Sequence, residues 1–207
     1  MQLILVRHGQ TIGNKLGYIT GHLNDGVAVL TDTGISQAKK TGEALKNIKI
    51  DIAYSSDLTR AIDTAQFILQ HHPNLTLNTT ERIREISAGQ YDGKPKASVP
   101  KGYILFNPNK EGETYLDVQT RIIKFMNELK NKHSNETVLV VAHGGALTSF
   151  LMHLNDEELT LENYLKHKID NAAYTKLEID ENNNFKIIEH NVINHLESIE
   201  SENKSNL

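Results

Sequence analysis

The fold of this chain is constrained most by short apolar runs that alternate with longer amphipathic stretches. The apolar runs have the length and the composition of buried strands. They lie at residues 2–7, 50–54, 137–142, 174–179 and 185–190, with a weaker candidate at 74–78. The stretches at 34–46, 58–69 and 115–129 repeat apolar residues at intervals near 3.6, which is typical of helices that cover a core.

This alternation indicates the architecture and the domain organisation. Strands that alternate with helices favour a mainly parallel sheet with helices on both faces. The sequence therefore predicts an α/β fold, a three-layer sandwich around that sheet. A polar cluster at 180–184 separates the last two runs and predicts an antiparallel pair at one edge. We expect one domain over residues 1–195 and a polar, disordered tail over 196–207.

The composition excludes several classes of function. The net charge of −4 argues against nucleic acid or an anionic membrane as a partner. The chain has no cysteine, so it holds neither disulfides nor thiolate metal sites, and a reducing compartment suits it. No apolar run approaches the roughly 20 residues that a membrane-spanning helix needs. We expect a cytoplasmic protein that is a monomer or a homodimer.

Residues 86–113 depart from the regular pattern, because glycines and prolines interrupt any period there. A long loop inside a compact domain usually has a function, so we expect a lid-like excursion that faces the substrate. Its lysines, at 94, 96 and 101, are either a solvated face of the loop or sensors of the charge of a substrate. We expect Tyr91 to pack rather than to contact substrate.

Residues that can do chemistry follow the predicted strands. Arg7 and His8 end the first run, Arg60 lies in the helix after the second, and His143 ends the run at 137–142. Because the carboxyl ends of parallel strands meet at one edge of a sheet, we expect these side chains to lie close together. Ser56 or Asp57 is expected to cap the helix that carries Arg60. The alternative without a functional role is that Arg60 is an exposed helix residue that pairs with Asp63.

The expected cluster fits a tetrahedral dianion. Guanidinium groups bind phosphate oxygens in pairs, and glycines such as Gly144 let backbone N–H groups approach a ligand. A neutral histidine can attack phosphorus, and neighbouring arginines lower its pKa and so keep it neutral. Glu85 is the carboxylate next to these motifs that could protonate a leaving group. The arginines supply the charge neutralisation that a metal otherwise provides, so we expect no metal and no cofactor.

Four motifs together resemble the histidine phosphatase superfamily, the phosphoglycerate mutase-like family. They are Arg-His-Gly-x-Thr-x-x-Asn at 7–14, Ser-Ser-x-x-x-Arg-Ala-x-x-Thr-Ala at 55–65, Arg-Glu-x-x-x-Gly-x-Tyr-Asp-Gly at 84–93 and Ala-His-Gly-Gly at 142–145. A Gly-Glu-Thr segment at 112–114 looks like the Gly-Glu-Ser segment of the family. The chain departs from the family at 27–31, where Val-Ala-Val-Leu-Thr replaces Asp-x-Pro-Leu-Thr after a small insertion.

The resemblance implies a role for each matched residue. His8 would become the phosphohistidine, and Glu85 would donate the proton. Three further side chains would hold the phosphoryl oxygens: Arg7, Arg60 and His143. The backbone and side chains that would complete the substrate pocket belong to Asn14, Thr20, Gly21 and Gly144.

Three functions are compatible with these residues. The first is a phosphatase for a small phosphorylated metabolite that acts through phosphohistidine. The second is a cofactor-dependent phosphoglycerate mutase, which would use adjacent arginines in a longer excursion to bind the substrate carboxylate. Residues 86–113 contain no arginine, which favours the phosphatase. The third is a catalytically silent phospholigand-binding module, which the presence of His8, Arg60, Glu85 and His143 disfavours.

Overall fold

A six-stranded mixed sheet forms the centre of the molecule. The computed structural model describes residues 1–99 and 112–197. The strands are β1 (Gln2–Arg7), β2 (Ile52–Ser56), β3 (Leu77–Thr80), β4 (Thr137–Ala142), β5 (Tyr174–Ile179) and β6 (Phe185–Val192). Their order in the sheet is β3-β2-β4-β1-β5-β6. The first four strands run parallel, and β5 and β6 form the predicted antiparallel pair at one edge.

Helices cover both faces of the sheet, as the pattern predicts. They are α1 (Ile12–Leu16), α2 (Asp32–Leu45), α3 (Thr59–Leu69), α4 (Tyr115–Lys132), α5 (Gly144–Leu154) and α6 (Leu161–His167). Because side chains alternate along a strand, Leu3 and Leu5 of β1 join the core under α4 and α5, while Ile4 and Val6 join the core under α2 and α3. The α/β three-layer prediction is therefore confirmed.

The structure corrects the start of α3 and the position of β3. The helix begins at Thr59 with Leu58 at its N-cap and no side-chain cap, so neither Ser56 nor Asp57 caps it as predicted. Asp57 is held instead by the Arg84 guanidinium, whose Nε lies 2.7 Å from Asp57 Oδ1. The strand predicted at 74–78 lies at 77–80, because this edge strand is half-exposed and carries little apolar pattern.

Part of the segment 86–113 is described, and it is tied to the loop at 17–19. The Ile19 N–H donates to the Lys94 carbonyl at 2.9 Å, and the Gly93 N–H donates to the Ile19 carbonyl at 2.7 Å. Residues 100–111, which include Lys101, lie outside the described residues, and the lid-like role stays a prediction. Leu196, the first residue of the predicted tail, is buried against Ala172, and residues 198–207 lie outside the described residues. Among the described residues, no helix could cross a membrane.

Candidate active site

The pairing of β1 with β4 brings two histidines together at the carboxyl edge of the sheet. Arg7 lies opposite Ala142 in the parallel register, and the next residue on each strand is a histidine. The His8 N–H donates to the Ala142 carbonyl at 3.0 Å. The ring centroids of His8 and His143 are 5.2 Å apart. Both rings are buried, with 3% and 0% of their residue surface exposed. The first and last motifs therefore lie close together, as the sequence predicts.

His8 has the protonation state that a nucleophile requires. Its Nδ1 lies 2.7 Å from the Gly9 carbonyl oxygen, which can only accept, so Nδ1 carries the proton and Nε2 keeps its lone pair. Burial, followed by the positive charges of Arg60 and Arg7, holds the pKa of His8 well below 6.5. A neutral imidazole with a free Nε2 can attack an electrophile at neutral pH.

Unpartnered buried nitrogens surround this ring. Both ring nitrogens of His143, the Nε of Arg7 and the Nε of Arg60 are buried without a hydrogen-bond partner. They are four of the seven such side-chain atoms found in residues 1–99 and 112–197. A buried polar group without a partner costs about 1–3 kcal/mol, so a cluster of them indicates a place where a polar ligand supplies the partners.

The Arg60 side chain is fixed by a loop rather than by an acid. Its Nη1 donates to the Leu23 carbonyl at 3.0 Å and its Nη2 donates to the Gly21 carbonyl at 2.8 Å. Arg60 is completely buried, which excludes the alternative of an exposed helix residue paired with Asp63. Burial lowers the pKa of Arg60 to about 10, so the group stays charged at neutral pH. Thr20 is buried beside this loop. The carbonyl of its neighbour Gly21 contributes to the site by holding the Arg60 guanidinium.

Two glycines allow a close approach of other groups. Gly21 has a φ of +46°, and a Cβ there would lie 1.7 Å from Asp92 Oδ1. A Cβ at Gly144 would lie 3.1 Å from Arg7 Nε. Arg7 is anchored by a 2.7 Å hydrogen bond from Nη1 to the Ile169 carbonyl. Glycine at 144 therefore lets the first turn of α5 lie against the guanidinium.

The Glu85 carboxylate lies at the amino end of α5. Oε2 accepts from the Gly145 N–H at 2.9 Å, and Oε1 accepts from the Ala146 N–H at 3.2 Å and from the Ile86 N–H at 3.0 Å. A Cβ at Gly145 would lie 2.4 Å from Glu85 Oε1 and 2.7 Å from the Tyr115 hydroxyl oxygen. Glycine at 145 is thus required for the carboxylate to reach the helix.

Asn14 lies near His8, but its side-chain oxygen accepts hydrogen bonds from other residues of the protein. Its Oδ1 accepts from the Thr11 N–H at 3.1 Å and from the Asn171 amide at 2.9 Å. The Asn171 amide also donates to the His8 carbonyl at 3.0 Å. Sequence reasoning missed Asn171, because no motif surrounds it. The structure places Asn14 one hydrogen bond from Asn171, which donates to the His8 carbonyl, and the contact of Asn14 with substrate stays a prediction.

A second network that sequence reasoning missed holds the backbone of Glu85. The Glu85 carbonyl accepts from His22 Nε2 at 2.8 Å and from Arg121 Nη2 at 3.0 Å. Arg121 Nε forms a 2.8 Å ion pair with Glu113. Burial acts to raise the pKa of Glu113, but hydrogen bonds from His22, Arg121 and the Ser87 N–H together lower it to about 2. The Gly-Glu-Thr segment was the one available signal for Glu113.

Two tyrosines and a lysine lie at the margin of the site. Tyr115 and Tyr164 pack edge to face with centroids 5.8 Å apart. Burial first, and then the nearby Tyr164 and Glu85, raise the pKa of Tyr115 well above its usual value. Partial desolvation, and then the positive charge of Arg7, lower the pKa of Lys96. No group of three or more residues among those described could hold a metal ion.

Comparisons with known proteins identify the family of this chain. The profile of the histidine phosphatase superfamily (branch 1) matches residues 3–192. A phosphoglycerate mutase from Schizosaccharomyces pombe is 34% identical over 185 residues, 81% of this chain and 84% of that protein. A putative phosphoserine phosphatase 2 from Hydrogenobacter thermophilus is 32% identical over 189 residues, 86% of this chain and 90% of that protein.

A solved structure agrees with the same assignment. A mutant of phosphoserine phosphatase from Entamoeba histolytica, in complex with phosphoserine, matches with a TM-score of 0.82 and 26% identity. The match covers 94% of this chain and 98% of that one. The phosphatase class predicted from the motifs is thereby confirmed. The chain belongs to the histidine phosphatase superfamily, branch 1, and is an enzyme of the phosphatase type.

Proposed function

We propose that the chain hydrolyses small phosphomonoesters in two steps through a phosphohistidine on His8. The observation that carries this proposal is the neutral His8 ring, with a free Nε2, among four buried nitrogens that lack partners. A phosphoryl group supplies oxygen acceptors for such nitrogens and an electrophile for Nε2. Arg7, Arg60 and His143 would hold its oxygens.

In the first step, His8 Nε2 forms a bond to phosphorus and the bond to the leaving oxygen breaks. The Glu85 carboxyl group gives its proton to that oxygen, so the product leaves as an alcohol. In the second step, water attacks phosphorus, Glu85 takes a proton from that water, and the bond between Nε2 and phosphorus breaks. Inorganic phosphate leaves, and both His8 and Glu85 return to their starting states.

The arginines provide the charge neutralisation in both steps. Arg60 is buried and charged, and its two bonds to carbonyls fix the orientation of the guanidinium before substrate binds. Preorganised donors of this kind stabilise the transition state without reorganisation, which is usually the largest electrostatic contribution to catalysis. We therefore propose turnover without a metal or another cofactor.

The mutase is the second candidate, because relatives at 34% identity carry that name. A mutase must bind the substrate carboxylate while the phosphoryl group is transferred. Residues 86–113 contain no arginine for that purpose. Among the described residues of the loop, Lys96 lies within electrostatic range of Arg7, so it could sense a second anionic group. Hydrolysis is the reaction that the chain supports better.

The names of the relatives suggest which substrates to test first. Phosphoserine is the ligand of one solved relative, and we propose compounds of that size as substrates. The absence of cysteine and the net charge of −4 fit a cytoplasmic enzyme, and we propose a monomer or a homodimer that acts on small molecules rather than on nucleic acid or membranes.

A screen of phosphorylated metabolites, with a phosphoglycerate mutase assay in parallel, tests the function. We expect release of inorganic phosphate from at least one alkyl phosphate, inhibition by vanadate, and no change in rate after dialysis against a chelator. Transfer between the two positions of phosphoglycerate at a rate above hydrolysis would assign the mutase instead. Loss of turnover on chelation, with recovery on addition of Mg²⁺, would contradict the metal-free pocket.

A further inference from the structure

The loop Gly21–Leu23 contacts two residues of the proposed mechanism at once. The carbonyls of Gly21 and Leu23 accept hydrogen bonds from the Arg60 guanidinium. The residue between them, His22, donates from Nε2 to the Glu85 carbonyl at 2.8 Å. One short loop therefore fixes a residue that would hold the phosphoryl group and the backbone of the residue that would donate the proton.

His22 is itself held from two further sides. Its N–H donates to Asp92 Oδ2 at 3.3 Å, and its Nε2 lies 3.5 Å from Glu113 Oε2. Its side chain is about two-thirds buried, at 32% relative exposure. The backbone contact holds the main chain of His22, and the two contacts of Nε2 direct its ring towards Glu85 and Glu113.

The position of the Glu85 carbonyl determines where its carboxylate points. From that backbone, the carboxylate reaches the N–H groups of Gly145 and Ala146 at the amino end of α5. His22 and Arg121 are the two side chains in residues 1–99 and 112–197 that donate to this carbonyl. A displacement of about 1 Å in a catalytic group can cost about 10²-fold in rate.

We propose that His22 is a positioning residue for Glu85, acting through the Glu85 carbonyl, and that it sets the efficiency of proton donation to the leaving group. This inference rests on the proposed function. The His22 ring contacts the Glu85 carbonyl and the Glu113 carboxylate rather than the side chains that would hold the phosphoryl oxygens. Its removal should therefore affect the proton transfer and leave the binding of the phosphoryl group unchanged.

The test compares two substrates that differ in their need for a proton. Phosphoserine expels an alkoxide that must be protonated, whereas p-nitrophenyl phosphate expels a stable phenolate. In His22→Ala we expect kcat on phosphoserine to fall by about 10-fold or more and kcat on p-nitrophenyl phosphate to change by less than about threefold. The inhibition constant of vanadate should stay the same. His22→Gln, whose amide can still donate, should recover most of the rate on phosphoserine.

His133→Ala is the matched control, since it removes another buried histidine at the other end of the sheet. It should lower the stability of the protein without altering the ratio of the two rates. Equal losses on both substrates in His22→Ala, or weaker vanadate binding, would overturn the proposal. Rates equal to those of the wild type would do so as well, because Arg121 would then suffice.

Amide hydrogen exchange gives a readout that needs no turnover. If His22 positions Glu85, exchange at Gly145 and Ala146 becomes faster relative to the amides of β4 in His22→Ala, because their N–H groups lose the carboxylate. In His133→Ala the ratio of these exchange rates stays unchanged, since lower global stability speeds exchange at both places. Unchanged protection in His22→Ala would contradict the role of His22. A wild-type protein that releases no phosphate from any substrate would contradict the proposed function and would leave the exchange result to decide on His22.

Discussion

Two buried histidines near the opposite ends of β4 differ in whether the protein supplies hydrogen-bond partners for their ring nitrogens. His133, before the amino end, has 5% of its surface exposed, and both of its ring nitrogens have partners. They lie 2.6 Å from Glu136 Oε2 and 3.1 Å from the Tyr54 hydroxyl oxygen. His143, at the carboxyl end, is fully buried and neither of its nitrogens has a partner.

We interpret this difference as the difference between a structural histidine and a ligand-binding one. Burial of a polar group is tolerated where the protein supplies the hydrogen bonds, as it does for His133. Where the fold leaves such groups without partners, it keeps an unfavourable free energy that a ligand can relieve. The unpartnered buried nitrogens of His143, Arg7 and Arg60 therefore indicate a function more directly than the burial or the charge of these residues alone does.

The largest expected effect tests this comparison by the same substitution at both ends. His143→Ala should lower kcat by on the order of 10³-fold, as removal of a transition-state donor does, and should leave the free energy of unfolding unchanged or higher. His133→Ala should lower the free energy of unfolding by about 1–3 kcal/mol, because Glu136 and Tyr54 lose a partner. Its kcat should equal that of the wild type. Denaturant unfolding and steady-state kinetics of both variants would show whether the two ends differ in this way.

The next effect concerns proton donation at the carboxyl end. Glu85→Gln keeps the shape of the side chain but carries no acidic proton. We expect kcat on phosphoserine to fall by about 10²-fold and kcat on p-nitrophenyl phosphate to fall far less. Equal losses on both substrates would make Glu85 a positioning group and leave the proton donor unassigned.

The smallest effect is a dependence of stability on pH. Burial and the neighbouring arginine hold the pKa of His143 well below 6.5 in the folded protein. The unfolded chain therefore binds more protons below pH 6.5, and the free energy of unfolding falls as the pH drops from there towards the folded pKa. The slope is at most about 1.4 kcal/mol per pH unit for this group. His143→Ala should show a shallower fall between pH 6.5 and 5. An identical slope in the variant would mean that His143 is charged in the folded protein.

The sequence was sufficient for the sheet apart from the position of β3. It also marked the five residues of the proposed mechanism, because each lies in a short motif that begins at or after the end of a strand. It was insufficient for His22 and Asn171. Their partners, Glu85 and His8, are 63 and 163 residues away along the chain, and no local pattern marks such a contact. The cap of α3 was mispredicted for a similar reason, since Asp57 pairs with the distant Arg84.

The central claim is that His8 carries the phosphoryl group, and trapping the intermediate tests it most directly. Wild-type enzyme quenched during turnover of p-nitrophenyl phosphate should contain one phosphoryl group on the peptide that includes His8. That group should be stable in base and lost in acid, and His8→Ala should neither form it nor retain more than trace turnover. A phosphoryl group on another residue, or turnover by His8→Ala close to that of the wild type, would contradict the account.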